Sequence, residues 1–115
     1  MKKGDIFLVN FDPAFGSEYQ KVRPAVIIQS QKISSQLITV MPISSKLKNK
    51  NQNDISIRKN QNNRLFLDSL IKVAQVSSFD KGRLFHFIGK ADSLILKKID
   101  VYLKKHFSLW IKAGE

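Results

Sequence analysis

The sequence contains no cysteine, so disulfide bridges and metal sites built on thiolates are both excluded. No apolar run approaches the roughly 20 residues that are needed to span a bilayer. The first residues are also not followed by the apolar core of a signal peptide. We therefore expect a cytoplasmic protein with no contact to a membrane.

Several catalytic signatures are missing as well. There is no P-loop, no dinucleotide-binding glycine fingerprint and no GxSxG nucleophile elbow. His86 and His106 stand apart in the sequence, and the carboxylates are scattered. This pattern disfavours a zinc site, a ribonuclease that uses two histidines and a nuclease that uses divalent metal. We expect neither a metal nor a cofactor.

Positive charge is what the chain has in excess. Its 20 Lys and Arg residues outnumber nine Asp and Glu, which gives a formal net charge of +11 over 115 residues. This excess predicts a polyanionic partner, in particular nucleic acid, although a biased genome composition would also supply surplus lysines. Aliphatic and aromatic residues are plentiful, and the length predicts one folded domain over residues 1–115.

Short apolar or alternating runs predict a mainly β protein. The predicted strands are residues 5–11, 22–29, 37–43, 55–57, 65–70, 71–76 and 85–88. From Ser93 the apolar period changes to that of a helix, with a stripe formed by Leu96, Ile99, Leu103, Phe107 and Trp110. Either Asp92 or Ser93 can cap this helix. Many short strands and one late amphipathic helix predict a small β-barrel with appended helices.

Two segments stand out from this pattern. Ser44 to Arg64 contains six Lys and Arg but one Asp, and is interpreted as a mobile basic insertion around a short strand. Earlier in the chain, the turn signal Asp12-Pro13 opens a polar loop, and Arg23-Pro24 ends it before the apolar run Ala25 to Ile28. Because proline biases the preceding residue toward extended backbone, Arg23 is expected where this loop enters a rigid strand. An arginine that merely caps a surface loop is the alternative.

Arginine and hydroxyl side chains are suited to binding a phosphate and to stabilising the extra charge of a phosphoryl transition state. The candidate residues of this kind are Arg23, Ser17, Ser44, Ser45, Ser77 and Ser78, with Glu18 close in sequence. Such a set can bind RNA or cleave it, and the residue types alone do not decide which.

The order and spacing of several short motifs resemble those of the PemK/MazF toxins. The motifs are Gly4-Asp-Ile, Phe11-Asp-Pro, Gly16-Ser-Glu, Arg23-Pro-Ala-Val-Ile-Ile, Pro42-Ile-Ser-Ser, Leu67-Asp-Ser and Asp80-Lys-Gly-Arg. The resemblance extends to about Leu109. It implies an SH3-like barrel that forms a homodimer and acts as a sequence-selective, metal-independent endoribonuclease on single-stranded mRNA. A cognate antitoxin is the implied protein partner.

The resemblance also implies a mechanism and a set of site residues. The 2′-hydroxyl attacks the adjacent phosphate, which leaves a 2′,3′-cyclic phosphate and a 5′-hydroxyl. The family's arginine falls on Arg23, its threonine on Ser44 and the glutamate of its first loop on Glu18. A guanidinium stays protonated at neutral pH, so Arg23 is a poor general base and Glu18 is the base candidate. The expected RNA contacts are Ser17, Lys21, Ser45, Lys46, Lys48, Lys72, Gln75 and Ser77.

Two departures from the family pattern bear on this expectation. Serine replaces threonine at Ser44, which keeps the hydroxyl but loosens its rotamer. Ser77 stands where the family often has a basic residue, and Lys72 or the basic insertion is the candidate replacement for that charge. Two other functions stay open: a non-catalytic toxin that binds DNA gyrase, as the related CcdB toxins do, and an RNA-binding module that does not cleave.

Overall fold

The computed structural model describes residues 1–11 and 22–109. The strands are β1 (Asp5–Asn10), β2 (Val22–Ile27), β3 (Leu37–Ser44), β4 (Ile55–Ile57), β5 (Ser69–Ile71), β6 (Ser77–Asp80) and β7 (Leu84–Lys90), and the helix is α1 (Ser93–His106). The predicted short additional helices are 3-10 turns at Leu47–Asn49, Val73–Gln75 and Lys81–Arg83. The predicted site residues Ser17, Glu18 and Lys21 lie outside the described residues, as does Trp110.

The strands form one antiparallel sheet with the order β4-β5-β3-β2-β1-β7, and β6 pairs with β3 as well. The prediction of a mainly β fold with a C-terminal helix is confirmed. Within the described residues, however, β4 and β7 do not pair, so strand pairing alone does not close the barrel. The loop after β4 reaches across instead, because the Lys90 N–H donates to the Asn62 carbonyl at 2.9 Å.

The strand β3 organises the sheet because it has three partners. Its first half pairs with β6 and its last two residues pair with β5, while β2 lies along the opposite edge. Pro42 lies between the part of β3 that pairs with β6 and the part that pairs with β5. Alternate residues of β1, β2 and β3 therefore face two separate apolar cores, one containing Ile6, Val26 and Met41 and the other Val9, Ile27 and Val40.

The helix α1 covers the first core. Asp92 caps it by accepting a hydrogen bond from the Ile95 N–H at 2.9 Å. Ile95 and Ile99 are buried, and Leu103 packs against the same core, as the helical period predicted. None of the described helices is long and apolar enough to cross a membrane.

Residues 65–76 differ most from the sequence prediction. The two strands predicted there reduce to the three residues of β5, followed by the 3-10 turn Val73–Gln75. The short strand predicted at Ile55–Ile57 is confirmed. The polar stretch after Val76 contributes β6, which pairs with β3 from Leu37 to Val40.

Candidate functional site

The register of the sheet brings Arg23 and Ser44 together. Ala25 of β2 pairs with Pro42 of β3, and the strands are antiparallel. Arg23 lies two residues before Ala25 on β2, and Ser44 lies two residues after Pro42 on β3, so both lie at the same end of this strand pair. Arg23 also pairs with Val9 of β1, so its backbone belongs to the central part of the sheet. The arginine predicted at a loop-to-strand junction therefore lies within a strand, at its second residue.

Both side chains open into one groove of about 400 Å³. The groove lies between the start of β2 and the end of β3 on one side and the segment before β5 on the other. Its lining comprises Val22, Arg23, Pro24, Ile43, Ser44, Ser45, Lys46, Leu65, Phe66, Leu67 and Ser69. Arg23 and Ser44 are half-buried, whereas Ser45 and Lys46 are exposed.

The polar part of the groove is suited to an anion. A guanidinium offers five N–H donors in a planar fork, and serine hydroxyls can add O–H donors to the same oxygen atoms. At the end of β3, Ser44 Oγ accepts a hydrogen bond from the Lys46 N–H at 3.2 Å. The described lining residues include no carboxylate and no imidazole. Across residues 1–11 and 22–109, no three His, Asp or Glu side chains lie close enough together to hold a metal ion.

The loop between β3 and β4 carries further positive charge beside the groove. Lys46 lines the groove, and Lys48 and Lys50 follow it as exposed residues. Lys72, which the sequence predicted as an RNA contact, is buried beneath this loop. Its ammonium donates to Asp54 Oδ2 at 2.5 Å and to the Asn49 carbonyl at 3.0 Å, so its charge is compensated inside the protein.

Two further predicted RNA contacts, Gln75 and Ser77, lie apart from this groove. Gln75 is exposed on a 3-10 turn, and Ser77 is exposed at the start of β6. Ser77 pairs with Val40, and its Oγ donates to the Gln75 carbonyl at 3.4 Å. Neither residue is part of the groove lining.

Sequence reasoning missed the apolar wall of the groove. The sequence predicts a strand that includes Leu65, Phe66 and Leu67, whose side chains would alternate between buried and exposed positions. In the structure Leu65 is buried, whereas Phe66 is 95% exposed and Leu67 is 58% exposed. The sequence carries no clear signal for this arrangement, because an apolar triplet before a strand is typical of a core segment.

Comparison with known proteins identifies the family. Residues 2–107 match the family described as "PemK-like, MazF-like toxin of type II toxin-antitoxin system". The chain belongs to this family. The family prediction made from the sequence is thereby confirmed.

Curated relatives of this PemK/MazF-family chain carry the name of an enzyme. Endoribonuclease MazF9 of Mycobacterium tuberculosis is 29% identical over 96% of this chain and 98% of its own length. Endoribonuclease MazF of Staphylococcus saprophyticus is 34% identical over 73% of this chain and 72% of its own length. Both names agree with the predicted class of enzyme, an endoribonuclease.

A solved structure shares the fold of the PemK/MazF-family chain. The crystal structure of MazE-MazF (Form-II) from Deinococcus radiodurans contains a chain with a TM-score of 0.76 and 17% identity. The match covers 96% of the present chain and 97% of the other. At this identity the likeness concerns the fold.

Proposed function

We propose that this PemK/MazF-family toxin is a sequence-selective endoribonuclease that cleaves single-stranded mRNA without a metal ion. The observation that carries the proposal is that Arg23 and Ser44 line one groove at the same end of the β2–β3 pair. A groove that only binds protein needs no arginine beside two serine hydroxyls and a lysine. Two relatives named endoribonuclease support the same reading.

The chemistry is a transfer of the phosphoryl group within the RNA strand. The 2′-oxygen forms a bond to the adjacent phosphorus while the bond from phosphorus to the 5′-oxygen breaks, which gives a 2′,3′-cyclic phosphate and a 5′-hydroxyl. Arg23 binds the phosphate and stabilises the additional negative charge of the transition state, and Ser44 donates a hydrogen bond to a non-bridging oxygen. We assign Glu18 as the base that takes the 2′-proton, and the leaving 5′-oxygen receives a proton from Arg23 or from water.

The RNA path continues from the groove along the loop between β3 and β4. Ser45 and Lys46 contact the strand at the groove, and Lys48 lies further along. We assign Ser17 and Lys21 of the first loop, together with Gln75 and Ser77, to contacts with flanking nucleotides. Lys72 holds the loop in place and does not contact RNA, because its ammonium is bound to Asp54.

The toxin acts as a cytoplasmic homodimer that a cognate antitoxin inhibits. Exposed apolar side chains at Phe85, Phe87 and Phe107 are available for an interface between copies or with a partner. A structure named MazE-MazF supports the existence of such a partner in the family. An acidic, partly disordered antitoxin segment would fold as it covers the basic groove. A monomer by light scattering at micromolar concentration would contradict the dimer.

The function is tested by incubating the purified protein with long single-stranded RNA in EDTA. We expect discrete fragments whose 5′ ends are labelled by polynucleotide kinase without prior phosphatase treatment, since each carries a 5′-hydroxyl. Arg23→Ala serves as the control for a contaminating nuclease. Binding without cleavage would instead identify an RNA-binding module, and binding to DNA gyrase in place of RNA would identify a toxin of the CcdB kind.

A further inference from the structure

Phe66 is the most exposed large apolar side chain described in the structure, at 95%. A single exposed apolar residue on a surface needs no special explanation. What distinguishes Phe66 is that its backbone is held on both sides while its ring stays open to solvent.

Side-chain hydrogen bonds hold the backbone on either side of Phe66. The Leu65 N–H donates to Asn63 Oδ1 at 3.0 Å, and the Leu67 carbonyl accepts from Ser69 Oγ at 2.8 Å. Asn63 is itself 1% exposed and donates through Nδ2 to the Arg58 carbonyl at 2.7 Å. The buried side chain of Leu65 adds an apolar anchor. The backbone that carries the ring is therefore held in place, which reduces the ordering that binding would require.

The ring lies between two grooves. On one side Phe66 lines the groove of Arg23 and Ser44. On the other side it lines a second groove of about 470 Å³, together with Arg64, His86 and Phe87. Because Arg23 and Phe66 line the same groove, a strand of RNA with a phosphate at Arg23 would bring a neighbouring nucleotide near the Phe66 ring.

We infer that Phe66 is a stacking platform for the unpaired base that adjoins the phosphate held by Arg23 and Ser44. The inference rests on the proposed function, because it places the RNA strand in the first groove. Continuity with that groove and an arginine in each groove favour an anionic nucleotide over an apolar peptide. Aromatic rings stack on any base, and Arg64 and His86 offer donors that can reach the edge of the stacked base or its phosphate.

The test measures binding of single-stranded oligonucleotides that are 2′-O-methylated throughout, which removes the attacking hydroxyl and prevents cleavage. Phe66→Ala is expected to lower affinity about 5- to 150-fold, the usual effect of losing one base-aromatic stack. Phe66→Trp should keep the affinity, whereas Phe66→Leu, which is apolar without a ring, should lose it. Leu94→Ala on α1 is the control for the loss of an exposed apolar side chain, since Leu94 is 61% exposed and lines neither groove.

A series of abasic oligonucleotides identifies the stacked base. At one position, removal of the base should weaken the wild type by the same factor as Phe66→Ala, and the variant should then show no further loss. If the affinity of Phe66→Ala falls by the same factor at every abasic position, the stacking platform is ruled out. A variant that binds normally would also rule it out, as would one whose main defect by light scattering is a loss of self-association. Because binding is measured without cleavage, a wild type that binds but never cuts RNA would refute the proposed nuclease and leave the platform standing.

Discussion

The ammonium of Lys72 lies 2.5 Å from Asp54 Oδ2, and both side chains are almost completely buried, at 8% and 1% exposure. Asp54 also accepts a hydrogen bond from the Asn51 N–H at 2.8 Å. This pair fixes the loop between β3 and β4 against the residue that follows β5. The buried ion pair of Lys72 and Asp54 therefore stabilises the loop whose first residues line the groove.

Removing one member of this pair should be costly, because the other charge would remain buried without compensation. We expect Asp54→Ala to lower the free energy of unfolding by about 3–5 kcal/mol in urea denaturation. Asp100→Ala is the control, since the Lys3–Asp100 pair is exposed at 37% and 43% and should contribute at most about 1 kcal/mol. The double variant Asp54→Leu with Lys72→Met should recover much of the loss. Equal losses of unfolding free energy in Asp54→Ala and Asp100→Ala would contradict this assignment.

Arg23→Ala should reduce the rate of RNA cleavage by on the order of 10²–10³, the usual loss for one transition-state donor. The melting temperature should change little, because the half-buried side chain opens into the groove and not into either core. Ser44→Ala should cost less, and Ser44→Thr should be tolerated because the hydroxyl is kept. Lys98→Ala on the exposed face of α1 controls for the loss of one positive charge. Full activity of folded Arg23→Ala would end the assignment.

The exposed lysines of the β3–β4 loop should make RNA affinity steeply dependent on salt. Each neutralised phosphate contributes about −0.7 to the slope of log K against log salt for a single strand. Changing Lys46, Lys48 and Lys50 together to Gln should flatten the slope by up to about 2 without altering which sequence is cut. The matched control changes Lys97, Lys98 and Lys105 of α1 to Gln. If both triple variants shift the slope equally, the loop lysines have no special role.

Gly89 should not tolerate a side chain. A Cβ there would lie 2.5 Å from the Asn62 carbonyl oxygen and 2.6 Å from that of Asn63. Gly89→Ala must therefore displace the loop that follows β4 from its contact with β7. We expect a destabilisation of about 1–3 kcal/mol. Gly82→Ala is the control, because the nearest atom is a side-chain oxygen of Asp80 at 3.1 Å. Equal melting temperatures for the two variants would contradict this tight approach.

The sequence predicts the central strands and the helix well because their periods are regular. β2 and β3 are rich in β-branched residues, and α1 repeats its apolar residues at helical spacing. β6 was not predicted, because Ser77-Ser-Phe-Asp has one partly buried apolar residue and is held mainly by pairing with β3. Such pairing depends on a distant edge that a local pattern does not contain.

The same limit applies to the candidate site. Arg23 and Ser44 could be named from the family resemblance, and the antiparallel pairing of β2 with β3 brings them to the same end of the strand pair. Lys72 could not be distinguished from a surface lysine, because its partner Asp54 is 18 positions away in the sequence. Phe66 could not be distinguished from a core residue, because its exposure depends on hydrogen bonds that side chains of asparagine and serine make to the neighbouring backbone.

The two walls of the groove are built differently. Arg23 and Ser44 belong to strands in the middle of the sheet, whereas Phe66 belongs to a loop that a few side-chain hydrogen bonds hold in place. Loops open at a lower free energy than central strands do. On warming, the loop wall should loosen first, while the wall formed by Arg23 and Ser44 keeps its geometry up to global unfolding. Under the proposed function, the stacking contact at Phe66 would then be lost at a lower temperature than the contacts of RNA with Arg23 and Ser44.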